Sequence, residues 1–387
     1  MDFTLNDEQR LFRATLRQFV EREIKPVARE FEQSGRYPTE IVAGMRELGL
    51  FGLVIPEEYG GLGADTVSFA LAFEEISRGW MGVAGVLGSH SVSCWMLAKH
   101  GTEEQRRRFL PELATGARRT GIALTEPGAG TDLQGITTTA RRDGDTYVVN
   151  GTKMWITNAR HADPLPVLVK TDPTAQPAHR GMSILLVEAG TPGFEVTADI
   201  GKLGYKGPES CEVVLTDVRV PAANLLGGTE GRGLQQALSA LETGRINIAA
   251  RGVGIAQRAY EEALDYARTR TAFGGPIGDF QAIQLRLAEI AVRLQGARLM
   301  TYWAASRMDD GVRMDTESGL AKIAASEAAL ACATDAMRIH GGYGYSTEFE
   351  IERLYRDAPL LSIGEGTNDV LRTVVAKALL AGRASIG

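Results

Sequence analysis

The stretch Asp143-Gly144-Asp145-Thr146-Tyr147-Val148-Val149-Asn150-Gly151 (DGDTYVVNG) marks the change of period on which the fold reading turns. Tyr147, Val148 and Val149 are β-prone. They lie between Asp143-Gly144 and Asn150-Gly151, dipeptides that favour the tight turns of hairpins. Working outward, Ser183 to Val187 is a short apolar strand, and Phe194, Val196 and Thr197 suggest another. Cys211 to Val220 mixes β-branched and polar residues and stops at Pro221. Strands in succession without intervening helical patterns predict an antiparallel β-domain over residues 122–226.

Helical periodicity governs both sides of this zone. Before it, Leu11, Phe12, Leu16, Phe19 and Val20 recur at helical spacing. Thr102 followed by Gln105 has the form of a capping box opening a helix with Phe109 and Leu110, and Pro56 to Gly63 (PEEYGGLG) is a loop. After it, Gly227 to Gly233 (GGTEGRG) is a hinge. Helical patterns then run over about 234–269, 280–308, 316–340 and 368–380, with Gly341-Gly342 as a C-terminal stop. The expected class is α+β multidomain: an N-terminal helical domain (1–121), a middle antiparallel β-domain (122–226) and a C-terminal four-helix bundle (227–387).

The chain has 387 residues, 44% hydrophobic and 23% charged, with net charge −6 and mixed signs. This is ordinary for a globular protein and gives no electrostatic case for a nucleic-acid partner. Cys94, Cys211 and Cys332 are far apart, which points to a reducing compartment rather than a disulfide framework. The five histidines show no metal-ligand spacing, so no metal is expected. No apolar run reaches the roughly 18–20 residues of a bilayer span. The N-terminal residues resemble neither a secretory signal nor a transit peptide, and with Met1 in place a cytoplasmic location is expected.

Four motifs are suited to chemistry. LTEPGAGTD (Leu124 to Asp132) combines Gly128 and Gly130 with the hydroxyls of Thr125 and Thr131; free amides there would suit phosphate oxygens, or the segment is a tight connecting loop. MWITN (Met154 to Asn158) offers Trp155 to a flat heterocycle and Thr157 to a ring nitrogen, or Trp155 is β-domain core. In RTAFG (Arg270 to Gly274), Arg270 would pair with a phosphate or complement a helix C-terminus; Gln281 has an equally plain surface reading. In SIGEGTND (Ser362 to Asp369), Glu365 stands between Gly364 and Gly366, which free its backbone to present a carboxylate into a cleft, unless the segment is a solvated loop. Thr367 or Asn368 then caps the last helix.

These motifs, in this order and layout, resemble the acyl-CoA dehydrogenase family over nearly the whole chain. The resemblance implies non-covalent FAD, a homotetramer built as a dimer of dimers, a place in fatty acid metabolism, and electron transfer onward to an electron-transfer flavoprotein. It implies that Leu124, Thr125, Gly130 and Thr131 contact FAD, Thr131 also touching the pantetheine of the thioester. Trp155 and Thr157 match the pair beside the flavin ring. Arg270, Phe273 and Gln281 resemble the segment that reaches a neighbouring subunit's FAD. Gly341 and Gly342, with Arg338 before them, match the adenosine-phosphate region, and Thr367 and Asp369 match contacts just after the base. Glu242 and Arg245 match positions near the CoA moiety, with Gly364 and Gly366 beside the acyl group. Three positions depart from the pattern: Arg338 replaces a usual glutamine, Gly275 a common Lys or Arg, and Asp369 a frequent Gln or Glu. Some members carry the base at the position matching Gly244; glycine has none to offer, and Glu365 occupies the other family location.

The chemistry so implied is removal of the thioester α-proton by Glu365, with the Glu365 N–H donating to the carbonyl, and hydride transfer to flavin N5 to give a trans-2-enoyl-CoA. The rivals are the same reaction on a carrier-protein-tethered acyl group, a flavin oxidase or monooxygenase on the same scaffold, and a non-catalytic helical scaffold. Small residues at Gly364 and at Ala84, Gly85 and Gly88 predict a wide acyl cavity suited to branched, cyclic or longer groups, unless Trp95 or Tyr205 fills the space or the glycines serve close helix packing.

Overall fold

The structure, a computed structural model, describes residues 4–309 and 314–383; the outermost ends of the first and last expected domains lie outside them. Helix α1 (Asp7–Phe19) runs on into a wider turn at Val20–Ile24. It is followed by α2 (Ala28–Ser34), α3 (Thr39–Glu47), α4 (Thr66–Gly79), α5 (Met81–His100) and α6 (Glu103–Ala114). Leu16 and Val20 of the predicted stripe are buried, but Leu11 is 70% exposed. The capping box is present: Thr102 Oγ1 accepts from Gln105 N at 3.2 Å and Gln105 Oε1 from Thr102 N at 3.1 Å. By length and composition alone helix α5 is long and apolar enough to cross a membrane, but its apolar window is 83% buried inside the fold, where core packing accounts for it.

The strands are β1 (Thr139–Asp143), β2 (Thr146–Thr157), β3 (Leu165–Lys170), β4 (Met182–Val187), β5 (Phe194–Asp199) and β6 (Ser210–Pro221). They form one sheet in the order β4-β3-β1-β2-β6-β5. The expected antiparallel pairing holds except between β1 and β3, which run parallel through Thr139 and Lys170. The hairpin turn falls at Gly144-Asp145, with Asp143 opposite Thr146. Asn150-Gly151 is no turn. It is an irregularity inside β2, where the Asn150 side chain exchanges hydrogen bonds with Asp217 of β6 (2.9 and 3.0 Å). A Cβ on Gly151 would stand 2.3 Å from Thr138 Oγ1. Strands β3 and β4 alternate between two cores. Leu168, Ile184 and Leu186 join a cluster with residues of α5 and α6, whereas Val167, Val169, Leu185 and Val187 face the interior shared with β2 and β6.

The C-terminal region holds α7 (Gly233–Thr269), α8 (Gln281–Met308), α9 (Asp315–His340), α10 (Ile351–Ile363) and α11 (Asn368–Leu380). The four-helix expectation therefore missed α10, which lies between glycine-rich segments and contains Pro359. Helix α7 packs against α4, α5, α8, α9 and α10 and is the common spine of the helical parts.

Gln105 couples the α6 cap to the chain leaving the sheet: its Nε2 donates to Ala223 O (2.8 Å) and Leu225 O (2.7 Å), and its Oε1 accepts from Gly227 N (3.1 Å). Thr102→Ala should cost about 1 kcal/mol as a lost cap. Gln105→Ala should cost roughly 3 kcal/mol, because buried partners lose their bonds. Urea unfolding would measure both, and equal losses would count against the coupling.

Candidate functional site

The segment SIGEGTND joins α10 to α11. Glu365 has φ 54° and Gly366 φ 92°, two successive residues in the left-handed region, which a glutamate adopts against strain. This backbone turns the side chain onto α7 at Gly244, where an added Cβ would lie 1.6 Å from Glu365 Oε2. The residue is half-buried, but Oε2 itself is sealed from solvent and has no hydrogen-bond partner among the described residues. Burial pushes the carboxyl up to about 7, against the opposing pull of Arg251, Arg245 and Lys322. The solvated-loop reading of this segment is thereby excluded.

Lys322 of α9 was not singled out in the sequence. Its Nζ donates to Gly366 O (2.8 Å) and Asn368 Oδ1 (2.9 Å), fastening the backbone just after Glu365. Burial brings this ammonium down to about 8, with the Glu365 charge opposing. Thr367 is the cap of α11, accepting from Val370 N at 3.2 Å, and Asp369 beside it is exposed. Arg245 is buried with Nη1 3.3 Å from Asp315 Oδ1, and Glu242 Oε2 accepts from Met314 N at 3.2 Å. Both stand where α7 meets the start of α9. Gly364 faces open space: an added Cβ would find only Leu360 O, at 3.6 Å.

The other end of the expected cavity is filled. A Cβ on Gly85 would lie 1.7 Å from the Tyr205 hydroxyl, and one on Gly88 would lie 2.6 Å from Asn247 Nδ2. The small residues of α5 admit Tyr205 and Asn247, so the wide cavity expected there is not present.

The LTEPGAGTD loop is pinned to MWITN. Lys153 Nζ donates to Leu124 O (3.1 Å) and Glu126 Oε1 (2.8 Å), and Met154 N donates to Thr125 O (2.8 Å). Burial alone would raise the Glu126 carboxyl. Hydrogen bonds from Lys153, Thr137 and Thr138 instead hold it down at about 2, while burial lowers Lys153 to about 8. Gly128, Gly130 and Thr131 at the loop's tip are exposed, and Leu124 is buried. Trp155 is 52% exposed at φ 65°, beside an irregularity in β2, so the core reading is wrong and its ring offers an open flat face. Thr157 is half-buried two residues on. This arrangement fits a planar heterocycle with an attached phosphate chain.

A third group lies elsewhere. Arg270 follows the end of α7 and lines a cleft of about 550 Å³ with Gly341, Gly342, Tyr343 and Tyr266. The cleft excludes Glu365. Gly341 has φ 61°, and the Arg270 guanidinium sits 5.6 Å from the Tyr343 ring centre. Phe273 is 99% exposed, and Gln281 is an exposed first residue of α8. Arg338 does not join them. It lies in a separate cleft, sharing Asp335 with Arg286 and Arg293.

Comparison with known proteins gives a consistent result. Models of the acyl-CoA dehydrogenase N-terminal, middle and C-terminal domains match residues 6–117, 121–218 and 231–380. A probable acyl-CoA dehydrogenase, YngJ of Bacillus subtilis (strain 168), is 44% identical over 98% of this chain and 100% of its own. The structure of butyryl-CoA dehydrogenase from Megasphaera elsdenii superimposes with a TM-score of 0.95 at 38% identity, covering 98% of this chain and 100% of that one. The prolyl acyl carrier protein oxidase AnaB superimposes at 0.93 with 33% identity, covering 97% and 100%.

Lys322→Met should raise the titration midpoint of Glu365 above about 7, because a cation that favours the carboxylate is lost. Carboxyl ¹³C NMR, with Glu365→Gln to assign the signal, reads it directly. A midpoint that stays put or falls would show that Lys322 does not act on Glu365.

Proposed function

Because the chain belongs to the acyl-CoA dehydrogenase family, FAD-dependent oxidoreductases acting on CH–CH bonds, we propose that Glu365 takes the α-proton of an acyl-CoA thioester on the way to the trans-2-enoyl-CoA. The observation that carries this reading is the Glu365 carboxylate held against Gly244, buried, without a partner, and pushed up to about 7. A thioester α-hydrogen is weakly acidic, and a base works best when its pKa lies near the working pH. The left-handed backbone at Glu365, tethered by Lys322, aims the carboxylate and leaves the Glu365 N–H to donate to the thioester carbonyl.

Leu124, Thr125, Gly130, Thr131, Trp155 and Thr157 would hold the flavin and its phosphates, Thr367 and Asp369 would contact it after the base, and Glu242, Arg245, Gly364 and Gly366 would flank the thioester. Bound FAD supplies the acceptor for the β-hydrogen and its electron pair. The electrons then pass to an electron-transfer flavoprotein. The similarity to AnaB supports a second reading, in which the thioester is borne by a carrier protein and oxygen takes the electrons.

We assign a homotetramer, a dimer of dimers, in which Arg270, Phe273, Gln281, Gly341 and Gly342 meet a neighbour's FAD, while Arg338, in its separate cleft, stands apart from that group. Phe273 projects fully into solvent within one chain, and Leu285, Val292 and Leu299 form an exposed stripe at seven-residue spacing along α8. Such a stripe is suited to burial against another copy.

Glu365→Gln should retain FAD and lose flavin reduction by butyryl-CoA by at least ~10³-fold, since no acceptor is then placed for the proton. In the wild type kcat/KM should rise with pH through about 7 as the carboxylate forms. Near wild-type reduction by the variant would remove Glu365 from the role. Separately, Val292→Glu should break the assembly and release FAD together, because linked equilibria move together. Light scattering with flavin absorbance tests this, and a dissociated subunit that keeps FAD would contradict it.

A further inference from the structure

Arg251 belongs to no motif, yet it lies on the same face of α7 as Gly244, seven residues away. That is two turns, or about 10 Å along the axis. Arginine side chains on a helix lean toward its N-terminus, here toward Gly244. The result is visible in the electrostatics: Arg251 is the foremost cation acting on Glu365. The residue is 4% exposed, and its Nε and one Nη are buried without a hydrogen-bond partner. No carboxylate among the described residues is within ion-pairing distance of it. Locally the charge is met by the face of the Tyr205 ring, 5.2 Å away, and by the field of Glu365 beyond ion-pairing distance.

Tyr205 is itself held in an unusual state. Its φ is 55°, its N–H donates to Asp357 Oδ1 at 2.6 Å, and its hydroxyl rests on Gly85 with Thr157 and Arg251 beside it. Burial raises its pKa, so the hydroxyl stays a neutral donor. Free guanidinium N–H groups and a tyrosine hydroxyl thus converge between α5, α7 and the Glu365 loop.

A buried cation without a direct ion pair is costly, and a guanidinium with free donors fits an oxygen anion in two-point geometry. A hydrocarbon tail reaching this point would leave these donors as unpaired as they are, whereas a carboxylate would give them charge-assisted hydrogen bonds. We propose that Arg251, with Tyr205, selects an acyl group whose far end carries a carboxylate, so that the preferred substrate is a short dicarboxylic acyl thioester. This rests on the reading of Glu365 as the α-proton base.

The test uses the FAD-loaded full chain with glutaryl-CoA and butyryl-CoA as probes, following anaerobic flavin reduction and measuring Kd for both on the Glu365→Gln background. Wild type should favour glutaryl-CoA at least tenfold in kcat/KM and in binding. Arg251→Met should reduce the glutaryl-to-butyryl ratio at least 100-fold, Arg251→Lys should keep part of it, and Tyr205→Phe should lower it about fivefold. A wild-type preference for butyryl-CoA, or a ratio unmoved by Arg251→Met, would overturn the proposal. If neither thioester reduces the flavin, the reading of Glu365 fails, and the two Kd values still decide the role of Arg251. Should Arg251→Met not fold, Arg251→Lys and Tyr205→Phe carry the comparison.

Discussion

The contact between Glu365 Oε2 and the bare backbone of α7 at Gly244 sets the terms for the rest of the site. Any side chain at Gly244 would occupy the space of the carboxylate, and any ordinary backbone at Glu365 would aim it elsewhere. The loop must therefore hold a glutamate at positive φ, which costs on the order of 1–3 kcal/mol. The compensating bonds are those of Lys322 to Gly366 and Asn368, together with the Thr367 cap. Positions 244 and 365, far apart in sequence, are thus one place in space. A side chain rooted at either would bring its carboxylate to the same point, and only one of the two can be filled.

That point is only as fixed as α7, and α7 is fixed by polar burial as much as by apolar packing. Helix α4 comes so close at Gly254 that a Cβ there would lie 2.4 Å from Glu74 O. Around this crossing, Glu74 accepts from Arg298 (2.9 Å) and Tyr302 (2.7 Å), while Glu75 accepts from Arg13 (2.8 Å), Arg17 and Arg78 (both 3.1 Å). Arg78 reaches on to Glu261 of α7 at 3.0 Å. Removing one member of such a network leaves an uncompensated buried charge, typically at a cost of about 3–5 kcal/mol. The network resists any sliding of the N-terminal helices along α7, and so preserves the register between α5, which seats Tyr205, and the α7 face that seats Glu365.

Local signals were legible in the sequence where local physics decides them. The Thr102/Gln105 box, the stop at Gly341 and the strands β4 and β6 depend on neighbours a few residues away. Asn150-Gly151 was misread because the dipeptide that closes a hairpin also serves an irregularity, and only the partner Asp217 distinguishes the two. Helix α10 was missed because Pro359 and the flanking glycines signal a break that packing against α7 and α9 overrides. The parallel pairing of β1 with β3 is non-local and leaves no mark in either strand. Within the site, Glu365 could be singled out because its glycines flank it in sequence. Lys322, Lys153, Glu126 and Arg251 could not, since each is an ordinary surface-type residue until burial gives it a role.

The two halves of the site share one device. Each of the two glycine-containing loops of the candidate site is held from behind by a buried lysine, which binds a backbone carbonyl and a side-chain oxygen: Lys153 at Leu124 O and Glu126, Lys322 at Gly366 O and Asn368. A long flexible stem ending in three donors suits this task, because it reaches the loop from a rigid strand or helix and adds no bulk on the open side. The two clamps differ in the charge they meet. Lys153 faces an ionised carboxylate held at about 2, so its loop is anchored by a permanent pair. Lys322 binds neutral oxygens and shares its field with Glu365, whose charge would change in the proposed proton transfer. A carboxylate hydrogen-bonded directly to that ammonium would be a weaker base. Placing the lysine on the adjacent backbone fixes the loop while leaving Oε2 without a partner and able to accept a proton.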